Sequence, residues 1–167
     1  MSEPDTSRTH LGVRNESIVR VRYAETDAMG IAHHAEYLTW FEVGRTDWIR
    51  HVGAPDAHGP RTYRRLEAGG FMLPVVELSV RYHASARHDD ELAVSTILAE
   101  ASRVRLTFDY EVFRLPERLL LARGRSVHAV TDRSGKLRRM PPDLLAWLLG
   151  GERGIAPEDA AGLPASS

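Results

Sequence analysis

The apolar residues of this chain recur at two different spacings. Over residues 34–51 they recur at intervals near three, four and seven, and from Phe71 onward they alternate one by one with polar residues. The first pattern is one face of a helix and the second one face of a strand. In RVRLTFDYEVF, Val104, Leu106, Phe108, Tyr110 and Val112 oppose Arg103, Arg105, Thr107, Asp109 and Glu111. In LPVVELSVRYHASA, Val76, Leu78, Val80, Tyr82 and Ala84 oppose Val75, Glu77, Ser79, Arg81 and His83. ELAVSTILAEAS and RLLLARGRSVHAVTD read as two more strands. RHDD, EAS and LPER are turns short enough to join antiparallel neighbours. Ala122, Gly124 and Ser126 alternate as small residues and leave room for a helix to lie close.

An earlier strand, SIVRVRYAE, precedes the helical segment. The spacing predicts a helix from about His34 to His51 with Leu38, Phe41, Trp48, Ile49 and Val52 on its buried face. Arg45 interrupts that stripe, and it can pair with Glu42 or snorkel to solvent. Gly53 is placed as the C-cap, with Pro55 barring continuation. The connection GAPDAHGPRTYRRLEAGG holds a short helical turn at Tyr63–Ala68, and PPDLLAWLLG is a short helix opened by proline. One strand, one long helix and a run of antiparallel strands define an α+β fold with the helix packed on one sheet face. One helix cannot cover both faces, so the other face or the sheet edge is expected to meet a second copy, giving a homodimer or homotetramer.

At 167 residues, 43% of them hydrophobic, the chain can bury one sizeable core. Residues 16–150 are read as that domain. Residues 1–15 and 151–167 are read as flexible tails, because they are polar or small and carry no periodicity. No apolar run approaches the roughly 18 to 20 residues that span a bilayer, and MSEPDTSRTH lacks the layout of a signal peptide, so a cytoplasmic location is expected. There is no cysteine, hence no disulfide, thiolate nucleophile or thiolate metal site. With 22 basic against 23 acidic side chains, no general affinity for nucleic acid is indicated.

The densest chemistry lies in RYAETDAMGIAHHAEYLTWFEVGRTDWIR, where a strand ends, the chain bends and the helix begins. Thr26, Asp27, Gly30, Ile31, His34, Tyr37, Phe41, Glu42 and Arg45 stand at a set of fixed intervals there. This segment resembles the signature of the hotdog-fold acyl-CoA thioesterases of the hydroxybenzoyl-CoA thioesterase type, and the likeness extends over residues 16–148. The resemblance implies a hotdog fold and a CoA thioester as substrate, with no cofactor besides the CoA of that substrate. It also implies that Asp27 attacks the thioester carbonyl or activates water, and that the backbone N–H of His34 holds the developing oxyanion. Physical chemistry suits both positions, because orphan amides at a helix N-terminus form an anion site and Gly30 permits a tight bend. Ile31, His33 and Tyr37 are candidate substrate-binding residues, and Arg81, Arg87, Arg123 and Arg125 are candidates to bind the nucleotide end. His33 and Glu36 depart from the family pattern, which has an aromatic and commonly an asparagine there. Glu36 adds a second carboxylate near Asp27.

Competing readings are available for these residues. Asp27 can simply fill orphan amides ahead of a helix, Tyr37 can be core, and Glu42 with Arg45 can be a structural pair. A metal site is not indicated, since adjacent histidines on a helix diverge and no HExxH spacing occurs. The serine-nucleophile pattern G-x-S-x-G, the dinucleotide pattern GxGxxG and the P-loop are all missing. Two other functions stay open: a hotdog hydratase or dehydratase, and a non-hydrolytic acyl-CoA or acyl-carrier binding module.

Overall fold

A computed structural model describes residues 14–52 and 62–149. Residues 1–13 and 150–167, Gly53, Pro55 and most of the connection after them lie outside the described residues, and the N-terminal tail expected over residues 1–15 is corrected at its end, since Arg14 and Asn15 pair with β3 as the start of β1. The elements run β1 (Arg14–Arg20), α1 (Glu36–Val52), α2 (Tyr63–Ala68), β2 (Val75–Tyr82), β3 (Glu91–Ala101), β4 (Arg105–Arg114), β5 (Leu119–Ala129) and α3 (Pro142–Leu148). All pairings are antiparallel, in the order β1-β3-β4-β5-β2. The long helix α1 lies on one face of this sheet, which is the hotdog arrangement. Among the described residues no helix is long and apolar enough to cross a membrane.

The alternating strands place Val94, Leu98, Leu106, Phe108, Tyr110, Val112 and Ala122 under α1, where they form one core with its aromatic residues. Phe41 stacks on Tyr110 with ring centroids 4.4 Å apart, and Trp48 meets Phe108 edge-on at 5.3 Å. Two glycines allow this contact. A Cβ on Gly124 would lie 2.2 Å from the Phe41 ring, and one on Gly44 would lie 2.4 Å from Thr96 Oγ1. The small-residue strand thus admits the helix as its composition suggests.

Three other local expectations are corrected. β1 ends at Arg20, and Tyr23–Glu25 form a 3-10 turn in place of continued strand. The Glu25 carboxylate accepts the Arg22 N–H at 2.7 Å, which curls the chain at that point. Next, α1 begins at Glu36 and not His34, because residues 33–35 are used in a separate turn. Finally, the buried stripe of α1 is Tyr37, Trp40, Phe41, Gly44, Arg45, Trp48 and Ile49, while Leu38 faces solvent. Leu38 stands about 100° around the helix from Tyr37, and the larger aromatic side chains take the core positions. Arg45 is buried and turns inward, acting on the Tyr110 hydroxyl, so it does not snorkel.

The outer sheet face carries ion pairs. Arg125 grips Asp109 through Nε at 2.6 Å and Nη2 at 2.8 Å, Arg123 Nε reaches Glu111 at 3.1 Å, and Arg14 bonds Ser95 and Glu111. Strand β2 is an edge and is poorly covered: Val76, Leu78 and Tyr82 remain 56%, 38% and 46% exposed.

Candidate functional site

The chain reverses direction between β1 and α1. Thr26 and Ala32 form an antiparallel bridge. Between them the Asp27 N–H donates to the Ile31 carbonyl and the Gly30 N–H to the Asp27 carbonyl, both at 2.9 Å. Gly30 has φ +75°, in the left-handed region that glycine enters without strain. The Asp27 carboxylate is part of the turn, its Oδ1 accepting the Met29 N–H at 2.8 Å as in an Asx turn. Its Oδ2 has no partner among the described residues. A half-exposed carboxylate is therefore held in place through one oxygen while the other is available.

The next turn joins this hairpin to α1. The His33 N–H donates to the Glu25 carbonyl at 2.8 Å, the Ala35 N–H to His33 Nδ1 at 3.3 Å, and the Glu36 N–H to the His33 carbonyl at 3.0 Å. Of these four consecutive amides, only that of His34 has no acceptor among the described residues. It lies just before the 17-residue helix α1, where the helix dipole adds positive potential. The His34 carbonyl accepts the Tyr82 hydroxyl from β2 at 2.8 Å. The His33 and His34 rings lie together on the exposed side, with centroids 4.2 Å apart.

Behind the hairpin sits a carboxylate that sequence reasoning missed. Glu25 is 4% exposed and accepts the Arg22 N–H at 2.7 Å, Arg22 Nη2 at 2.9 Å and the Trp40 indole at 3.4 Å. Burial pushes its pKa up, but the hydrogen bonds from Arg22 and Trp40 and the Arg22 charge outweigh burial and hold it below the ordinary value. Glu25 thus stays ionised and ties the hairpin to α1. The one sequence signal for it is its i, i+3 relation to Arg22.

The structure gathers Asp27, Gly30, Ile31, His33, His34, Tyr37 and Arg87 at this end of the sheet. Ile31 bridges to Arg87, and the Ala32 N–H donates to Ala86 O at 2.8 Å. Tyr37 is buried, its hydroxyl accepting the Ala86 N–H at 3.3 Å, and burial raises its pKa. Glu36, in the first turn of α1, acts electrostatically on Arg22. Arg81, Arg123 and Arg125 are not part of this group. They lie on the outer face, with Arg81 opposite Arg123 and the other two engaged by Glu111 and Asp109. A cavity of about 490 Å³ lined by Gly70, Asp132, Arg133 and Arg138 opens near the start of β2, at the other end of that strand from Tyr82. Among the described residues no cluster of three or more His, Asp or Glu side chains could hold a metal ion.

A carboxylate with a free oxygen, followed by a free amide at a helix start, can attack or deprotonate at one atom and receive negative charge at its neighbour. The chain's relatives share this fold. A putative acyl-CoA thioesterase of Bacillus subtilis, YneP, is 31% identical over 129 residues, covering 75% of this chain and 88% of that protein. The crystal structure of a hypothetical protein from Thermus thermophilus superposes with a TM-score of 0.71 at 37% identity, covering 81% of this chain and 95% of that one. A DHNA-CoA thioesterase from Staphylococcus aureus gives 0.68 at 31% identity over 75% of this chain and 80% of its own. The family described as the Thioesterase-like superfamily matches residues 21–148, and the chain belongs to it.

Proposed function

We propose that this chain hydrolyses acyl-CoA thioesters to a free acid and CoA, with Asp27 as nucleophile or general base and the His34 N–H as oxyanion donor. The observation that carries the reading is the single unused amide among residues 33–36, following a carboxylate whose Oδ2 is free. In one route Asp27 attacks the carbonyl, the thiolate leaves, and water cleaves the resulting anhydride. In the other Asp27 takes a proton from water as the water attacks. Both pass through a tetrahedral oxyanion that the His34 amide stabilises, and losing such a donor costs on the order of 100- to 1,000-fold in rate. The names of the relatives support the substrate class. No cofactor is required beyond the CoA carried by the substrate. In this reading Ile31, His33 and Tyr37 contact the substrate and Arg87, bridged to Ile31, meets its nucleotide end, while Arg81, Arg123 and Arg125, on the outer face, do not.

The enzyme acts as a homodimer joined along β2. That strand is self-complementary: antiparallel pairing about Ser79 sets Glu77 of each copy opposite Arg81 of the other on the outer face. On the inner face it sets Leu78 against Val80 and Val76 against Tyr82.

The test is release of free thiol from a panel of short, long and aromatic acyl-CoAs. Asp27→Asn is a clean variant because an asparagine oxygen can still accept the Met29 N–H. Its rate should fall by at least about 100-fold with the fold intact. Wild-type turnover in Asp27→Asn would refute the role given to Asp27, and a wild type that releases no thiol from any acyl-CoA would favour a non-hydrolytic binding role.

A further inference from the structure

We propose that Tyr82 is a positioning residue for the oxyanion donor, its hydroxyl holding the 33–36 turn so that the His34 amide points at the substrate; this rests on the hydrolase reading above. Tyr82 ends β2, a different element from the hairpin and from α1. Its hydroxyl reaches across 48 residues of sequence to donate to the His34 carbonyl at 2.8 Å. Its ring packs edge-on against Tyr37, centroids 5.1 Å apart, and Tyr37 is itself buried in the first turn of α1. The turn is therefore fixed from three sides: by the Glu25 carbonyl on His33 N–H, by the His33 ring on Ala35 N–H, and by Tyr82 on the His34 carbonyl. The His34 N–H shares its peptide unit with the His33 carbonyl, which accepts the Glu36 N–H, while the Ala35 bond and the Tyr82 bond both hold the next unit, that of the His34 carbonyl. Of these bonds only the one from Tyr82 comes from the sheet. A turn free to rotate there would carry its N–H away from the reacting carbonyl, and a donor displaced by about 1 Å loses much of its effect on the transition state. The tyrosine lies on the edge strand that meets the second copy, so dimerisation and donor alignment share one side chain.

The experiment compares wild type, Tyr82→Phe and Asp27→Asn in the thiol-release assay. It is read together with thermal melting and with the ¹⁵N amide spectrum of the full chain. Phenylalanine keeps the ring against Tyr37 and removes only the hydroxyl. The expected result is a kcat reduced about three- to tenfold, a KM within about twofold of wild type, and His34, Ala35 and Glu36 amides that shift or broaden while those of β3 and β4 stay in place. A purely structural residue would lower the melting temperature and leave kcat per folded molecule unchanged, and that outcome overturns the proposal. So do unmoved turn amides, whatever the rates. A wild type that releases no thiol from any acyl-CoA, with the amides still moving in Tyr82→Phe, overturns the hydrolase reading and with it the catalytic part of this one, while the tether stands as structure.

Discussion

Gly124→Ala adds one methyl group where the structure has no room for it. The new Cβ would lie 2.2 Å and 2.3 Å from two ring carbons of Phe41 and 3.2 Å from a third. Phe41 cannot swing away, because it is 1% exposed and stacked on Tyr110 at an interplanar angle of 14°. Either the ring leaves its rotamer or α1 lifts from β5. Overpacking of this kind costs about 1 to 3 kcal/mol, and a disturbed aromatic stack adds about 0.5 to 1.5 kcal/mol. For a chain of this length that corresponds to a melting temperature lowered by roughly 4 to 13 °C. Differential scanning calorimetry reads the shift. Phe41→Leu in the Gly124→Ala background should relieve the clash, so the double variant loses at least about 1 kcal/mol less than the sum of the two single losses. Gly124→Ala melting within about 1 °C of wild type, or strictly additive losses, would refute the close-approach account. Because α1 carries the 33–36 turn at its start, lifting it should also reduce kcat before the protein unfolds.

Burial of His128 predicts an acid-sensitive core. Its Nε2 bonds Ser126 Oγ at 2.7 Å, its Nδ1 faces the Leu73 carbonyl at 2.9 Å, and burial lowers its pKa to about 4. The unfolded chain takes up this proton near pH 6.5 and the folded chain only near pH 4. Stability from this group is thus complete above about 6.5 and falls progressively to about pH 4, by about 3 kcal/mol in total. Urea midpoints across that window should show the slope in wild type, and His128→Gln should flatten it; an unchanged slope would point to another group. For the dimer, Arg81→Glu should favour monomers in sedimentation velocity, and Glu77→Arg combined with Arg81→Glu should restore the pair. A double swap that stays monomeric argues against the Ser79-centred register.

Strands β2 to β5 and the small helices were legible because each rests on a local period or on a proline and glycine signal that the packing leaves intact. Residues 122, 124 and 126 even announced the helix contact through their size. The α1 stripe was harder to read, since Tyr37 and Trp40 count as apolar only once their hydroxyl and indole find partners in Ala86 and Glu25. At the site, Asp27, Gly30 and His34 could be read because they fall within one short segment. Glu25 and Tyr82 were not legible as site residues. The first is buried by α1 folding over it, and the second arrives from a strand 48 residues away. No periodicity encodes either event.

The ion pairs on the back of the sheet have a consequence for a fold with one long helix. Beneath them Ala93 and Ser95 on β3 are almost dry, although among the described residues no helix lies there. Arg14 bonds both the Ser95 hydroxyl and Glu111, and Arg123 pairs with Glu111, so these long side chains are linked to one another across that part of the face. The back of the sheet can thus keep part of β3 from water under a largely charged surface, with Ile18 as an exposed apolar side chain beside it, and a two-layer arrangement obtains some of the shelter that larger folds obtain from a third layer.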